Sequence, residues 1–156
     1  MPIIKLTTKI KAPIKVVFDL SRSVDLHKLS TKHTNETAIG GVTKGLMELN
    51  DSVTWKARHF GIYQTLTSKI TSMDRPNNFN DEMEKGAFNS FKHFHGFETD
   101  KSITTMTDVF DYKSPFGILG RLADRLFLEK YMTKLLVVRN QVIKEYAESE
   151  DWKDVL

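Results

Sequence analysis

The hydrophobic period of this chain changes from two to about 3.6 at Ser114-Pro115, and no other feature restricts the fold as much. From Gly45 to about Tyr112, apolar and polar residues alternate with a period of two, as half-buried strands do. Val53, Trp55, Ala57 and His59 alternate with Thr54, Lys56 and Arg58. Tyr63 to Met73 reads as a long strand rich in Thr and Ser. Phe79, Asp81 and Met83 form one face of the next strand, Phe91, His93, His95 and Phe97 one face of the following one, and a last strand runs from Ile103 to about Tyr112. Gly61, Asp74-Arg75-Pro76-Asn77-Asn78, Gly86 and Thr99-Asp100-Lys101-Ser102 separate them as turns, so the strands meet as successive antiparallel hairpins. Beyond Pro115 the period becomes helical. Leu119, Leu122, Ala123, Leu126, Phe127, Tyr131, Leu135, Val138, Val142 and Tyr146 trace an apolar stripe, with Arg121, Asp124, Arg125, Lys130, Lys134, Arg139 and Lys144 mostly opposite. Neither Pro nor Gly interrupts Arg121 to Glu150, which predicts one long amphipathic helix from about Pro115 to Ala147.

The segment before the meander completes the element order. Ile3 to Ile10 is rich in β-branched residues and reads as a strand. Pro13 opens a short helix carrying Val16, Val17 and Leu20, and Ser23 is placed to cap a second one reaching Leu29. Thr31 to Thr43 is polar, ends in Gly40-Gly41 and reads as a loop. The expected fold class is α+β: a curved antiparallel sheet of six or seven strands wrapped around the C-terminal helix, with two short helices after the first strand. With 156 residues the chain suits a single domain over residues 1–150, and residues 151–156 are expected to fray.

Composition narrows the chemistry. There is no cysteine, which excludes disulfides, thiolate metal sites and cysteine nucleophiles. A net charge of +3 gives no support to nucleic acid as a partner. No transmembrane segment and no signal peptide are expected, because the apolar runs are short, and the expected location is cytoplasmic.

Several segments resemble a known group. They are Val53-Thr54-Trp55-Lys56-Ala57-Arg58-His59-Phe60-Gly61, Phe79-Asn80-Asp81-Glu82-Met83, Gly86-Ala87-Phe88, Phe91-Lys92-His93-Phe94-His95-Gly96-Phe97, Met106-Thr107-Asp108 and Ser114-Pro115-Phe116-Gly117-Ile118-Leu119-Gly120-Arg121-Leu122-Ala123-Asp124. Together with Pro13 and Pro76 they resemble the SRPBCC superfamily (START, Bet v 1-like and polyketide cyclase-related proteins). The likeness is strongest to a bacterial ligand-binding subfamily sometimes labelled cell-division-inhibitor-like. The resemblance implies a helix-grip fold. The superfamily includes lipid carriers, hormone receptors and ring-closing enzymes, so the fold does not choose among activities.

His93 and His95 stand out among the polar residues. Two apart on a strand, they share the face of Phe91 and Phe97, which points inward. Turn arithmetic sets Met83 opposite His93 and Asp81 opposite His95 on one side, with Asp108 opposite His93 and Met106 opposite His95 on the other. His59 lies on the apolar phase of its own strand. The polar candidates are therefore His59, Asp81, His93, His95 and Asp108. The apolar wall is drawn from Trp55, Phe79, Met83, Phe91, Phe97, Met106, Phe110, Leu122 and Leu126, and Glu36 is placed to guard a cavity mouth.

Four roles suit such a cluster. It can orient the polar end of a small hydrophobic or amphipathic ligand, lipid-like or polycyclic, between sheet and helix. A His–Asp pair can do acid–base work in a cyclase- or hydratase-type enzyme. His-x-His with a carboxylate can hold a metal, although no third ligand has compelling spacing, so neither metal nor cofactor is expected. The residues can also be satisfied buried polar groups in a ligand-free interaction module. Binding is the favoured expectation. No nucleophile or nucleotide motif is present, so an enzymatic role stays open and unfavoured.

Overall fold

The computed structural model describes residues 2–156. Seven strands form one antiparallel sheet in the order β1-β7-β6-β5-β4-β3-β2. They are β1 (Ile3–Ile10), β2 (Thr37–Gly41), β3 (Ser52–His59), β4 (Ile62–Asp74), β5 (Asn78–Lys85), β6 (Ser90–Asp100) and β7 (Ile103–Lys113). The period-two reading holds along β7, where buried and half-buried residues alternate strictly from Ile103 to Tyr112. Bulges between Thr67 and Ser68 and between Ile70 and Ser72 shift the β4–β5 register, and such insertions bend a strand. The expected loop at Thr31 to Thr43 contains the edge strand β2, which needs only the backbone of β3 to form.

Two short helices follow β1: α1 (Ile14–Ser21) and α2 (Val24–Ser30). Ser23 caps α2 as expected, its Oγ accepting from Leu26 N at 3.1 Å. Both helices bury their apolar residues in the larger of two core clusters. There Phe18 meets Phe79 and Phe97 edge-on, each with ring centroids 5.4 Å apart. A smaller cluster of Ile4, Phe91, Phe110, Tyr112 and Leu136 lies apart from it.

The C-terminal helix differs from expectation in one respect. It runs as α3 (Gly117–Ala123), a π turn (Asp124–Leu128) and α4 (Glu129–Glu148). A π turn adds one residue to the repeat and so rotates the buried stripe. Downstream of it the buried residues are Leu136, Arg139, Asn140, Ile143 and Ala147, so Arg139 lies inside and not on the solvent face. Leu122 and Leu126, expected to line the interior, are instead exposed. Gly120 is required where α3 starts, because a Cβ there would collide with the Pro115 carbonyl oxygen. The C-terminal residues expected to fray form a 3₁₀ turn, Asp151–Asp154, and Trp152 and Val155 pack on the larger core cluster. Among the described residues, no helix is long and apolar enough to cross a membrane.

Candidate functional site

Between the sheet and the C-terminal helix lies a cavity of about 760 Å³. Trp55, Phe79, Phe91 and Phe110 line it from the sheet, and Phe127, Tyr131, Met132, Leu135 and Leu136 line it from the helix. Four of the nine apolar candidates thus reach the cavity. Phe97 and Met106 are buried in the adjacent core, Met83 is half-buried in the smaller cluster, and Leu122 and Leu126 face away.

His93 and His95 enter the cavity from β6 beside Asp81 of β5, with Asp108 of β7 behind them and fully buried. The strand register differs from the turn arithmetic by two residues on both sides. Asp81 lies opposite His93, and Asp108 lies opposite His95. A two-residue slip preserves the face, which is why the cluster still assembles. The hydrogen bonds then run diagonally and restore the expected partners: His93 Nε2 donates to Asp108 Oδ1 at 2.8 Å, and His95 Nε2 donates to Asp81 Oδ1 at 2.7 Å. The two imidazoles lie 3.8 Å apart, and His95 stacks on Phe79 at 4.2 Å.

The helix completes the network with two residues that the sequence reading left out. Asn140 Nδ2 donates to Asp108 Oδ2 at 2.7 Å. Arg139 donates from Nη1 to Asn140 Oδ1 at 2.9 Å and to Asp108 Oδ1 at 3.4 Å. Its Nη2 lies 3.3 Å from both His95 Nδ1 and the Ser21 carbonyl oxygen. A guanidinium only donates, so His95 Nδ1 accepts and its proton sits on Nε2, facing Asp81. The available signal was phase: Leu136, Arg139, Asn140 and Ile143 follow helical spacing, with two polar residues on an apolar stripe.

These contacts explain the ionisation pattern. Burial alone would raise the pKa of Asp108, but the hydrogen bond from His93 and the Arg139 charge hold it well below the usual carboxylate range. Asp81 is lowered in the same way, with burial outweighed by the His95 hydrogen bond and the Arg139 charge. Burial, reinforced by the neighbouring His95, pushes His93 down to about 4. Its ring is therefore neutral at pH 7, with the proton on the Nε2 that faces Asp108. The Nδ1 of His93 then offers a lone pair 4.0 Å from Asp81 Oδ1, so two acceptors face each other without a shared proton.

A second polar group sits nearer the cavity rim. His59 belongs here, not to the deep cluster, and its Nδ1 lies 2.6 Å from the Tyr131 hydroxyl. Glu36, which also lines the cavity, pairs with His27 at 3.2 Å, and the His27 ring lies over Trp55 at 4.3 Å. Burial lowers the pKa of His59. Glu36 is lowered as well, because the adjacent His27 outweighs the opposing effect of burial. Asp81, His93 and His95 bring three donor atoms within 4.8 Å of one another. A cation there would have to displace the His95–Asp81 hydrogen bond and tolerate the Arg139 guanidinium beside His95, so the donor set suits a metal poorly.

No family model matches the chain, and no curated protein matches it. Solved structures do. The protein TTHA0849 from Thermus thermophilus superposes with a TM-score of 0.75 at 17% identity, covering 94% of this chain and 97% of that one. Ginseng major latex-like protein 151 from Panax ginseng gives 0.69 at 14% identity over 95% and 98% of the two chains. Ara h 8.0201 gives 0.66 at 12% identity over 94% and 97%. The fold is the Bet v 1-like helix grip. At these identities the likeness extends to architecture, while the Asp81–His93–His95–Asp108–Arg139 network is read from this chain's own geometry.

Proposed function

We propose that the protein binds a small amphipathic molecule, lipid-like or polycyclic, with its polar end at His93 and Asp81 and its apolar body against Trp55, Phe91 and Phe110. One observation carries this reading. The interior keeps about 760 Å³ open, within the size range of ligand pockets, and sets the His93–His95–Asp81–Asp108–Arg139 network into a mostly apolar wall. His93 Nδ1 and Asp81 Oδ1 both accept and lie 4.0 Å apart, so a ligand hydroxyl or amine placed between them would satisfy one or both. The open interior also supports a carrier over a ligand-free interaction module.

The test fills the cavity. Ala123 lines it from the helix and is half-buried, so Ala123→Trp occupies space without entering the polar network. A dansyl-labelled undecanoic acid, excited directly at the dansyl group, is expected to bind the wild type with a rise in dansyl emission, and to bind Ala123→Trp at least about tenfold more weakly. Equal binding by the folded variant, or none by the wild type, refutes the proposal.

A second reading rests on a specific contact. A neutral His93 held by Asp108, with Nδ1 free of protein donors, has the form of a general base. Its test is turnover of a ring-closing or hydration substrate that rises through an apparent pKa and disappears in His93→Ala.

A further inference from the structure

The rim of the cavity carries an apolar surface that none of the described residues covers. Phe116, Ile118 and Leu119 are 83%, 75% and 70% exposed at the start of α3, and Leu122 and Leu126 are 52% and 62% exposed further along. Phe60 and Ile62, at 57% and 64%, present a second apolar tip from the β3–β4 hairpin. Phe60 meets Phe127 at 5.5 Å, and Phe60, Phe116, Leu119 and Phe127 all border the same cavity, so the two tips share one rim.

The backbone makes this surface unusual. Phe60 and Phe116 both have left-handed φ, at 53° and 66°, and each precedes a glycine that is also left-handed. Turn positions of this kind favour Gly or Asn, and a bulky side chain there costs about 1–2 kcal/mol. Both phenylalanines thus sit where the backbone disfavours them and burial rewards them little.

Charge indicates what covers the surface. Ile118, Leu122 and Leu126 recur every four residues along the helix, and Arg121 and Arg125 run beside them with the same spacing. Both arginines are exposed, as is Lys130 one turn on, while Asp124 is buried on Ser114 at 2.5 Å and Glu129 is the one exposed acid from Phe116 to Lys134. An apolar stripe edged with arginine is the pattern of a helix lying in the headgroup region of an anionic bilayer. A second copy of this chain meeting the face by a two-fold axis would set arginines against arginines, which disfavours self-association.

We infer that the cavity rim, formed by the start of α3 and the β3–β4 hairpin tip, docks on anionic lipid membranes. Ile118, Leu122 and Leu126 enter the headgroup boundary, and Arg121 and Arg125 pair with lipid phosphates. Phe60, Phe116 and Leu119, beside this stripe, border the cavity. This inference is independent of what the cavity holds.

The test is co-sedimentation with vesicles of phosphatidylcholine alone and of phosphatidylcholine with one quarter phosphatidylglycerol. Wild-type protein is expected on the anionic vesicles only, with binding that weakens as salt rises. Ile118→Ser/Leu122→Ser/Leu126→Ser changes three exposed side chains that do not line the cavity, and is expected to lower vesicle binding by about tenfold or more. Arg121→Glu/Arg125→Glu is expected to abolish the preference for anionic lipid. Unchanged vesicle binding by the triple variant overturns the inference. So does a wild-type dimer in sedimentation velocity that binds no vesicles and becomes monomeric in the triple variant. Binding of the dansyl acid by the same triple variant tests the cavity separately and is expected to persist.

Discussion

Replacing Asp108 by Asn should be among the most damaging single changes available in this molecule. The carboxylate is fully buried and accepts from His93 at 2.8 Å, Asn140 at 2.7 Å and, more weakly, Arg139 at 3.4 Å. An asparagine keeps the shape but turns one oxygen into a donor, which then opposes either the His93 or the Asn140 N–H. It also removes the negative charge nearest to the buried Arg139. Breaking a buried charge pair from one side costs about 3–5 kcal/mol, because the remaining charge stays desolvated. With a urea m-value of about 2 kcal/mol/M for a domain of this size, the unfolding midpoint should fall by about 2 M. Urea denaturation at pH 7 followed by far-UV circular dichroism measures it. Adding Arg139→Met removes the stranded charge and should recover part of the loss, giving a favourable coupling between the two sites. A loss below about 1 kcal/mol for Asp108→Asn, or strict additivity with Arg139→Met, refutes the buried network.

Further outcomes follow from the same structure. His93 titrates at about 4 when folded, against about 6.5 when unfolded, so the unfolded chain binds the extra proton between these values. Stability should therefore fall by about 3 kcal/mol as pH drops from ~6.5 towards 4, and His93→Gln should flatten that slope in urea titrations. Asp108 and Asp81 have depressed carboxylate pKa values, so their stabilisation is present above the unfolded carboxylate range and is lost as pH falls further; removing Asp108 should shorten that acid limb. His93→Phe with His95→Phe leaves Asp81 without its hydrogen-bond donor, so the folded form of this change requires Asp81→Leu as well. The triple variant should then prefer a hydrocarbon probe over the dansyl acid in displacement titrations. Lys101, exposed in the β6–β7 turn with φ 58°, should become Gly with a gain of about 1 kcal/mol, seen as a melting point about 3 °C higher.

The amino-acid order alone determined a great deal of this protein. The period of two from Val53 to Tyr112 and the helical period after Pro115 state which faces are apolar, and two layers with one apolar face each have few ways to combine. The same alternation placed His93, His95, Asp81 and Asp108 on one inward face, because side-chain direction along a strand is a local property. Three things needed the tertiary structure. Strand register depends on how turns close and where bulges fall, so the opposed pairs shifted by two residues while the diagonal bonds kept the partners. The phase of the last helix depends on the π turn at Asp124–Leu128, which turned Arg139 inward while Leu122 and Leu126 face solvent. Packing alone decided that space remains beneath the helix, since apolar composition sets what can line a cavity and only the distance between layers sets whether one exists.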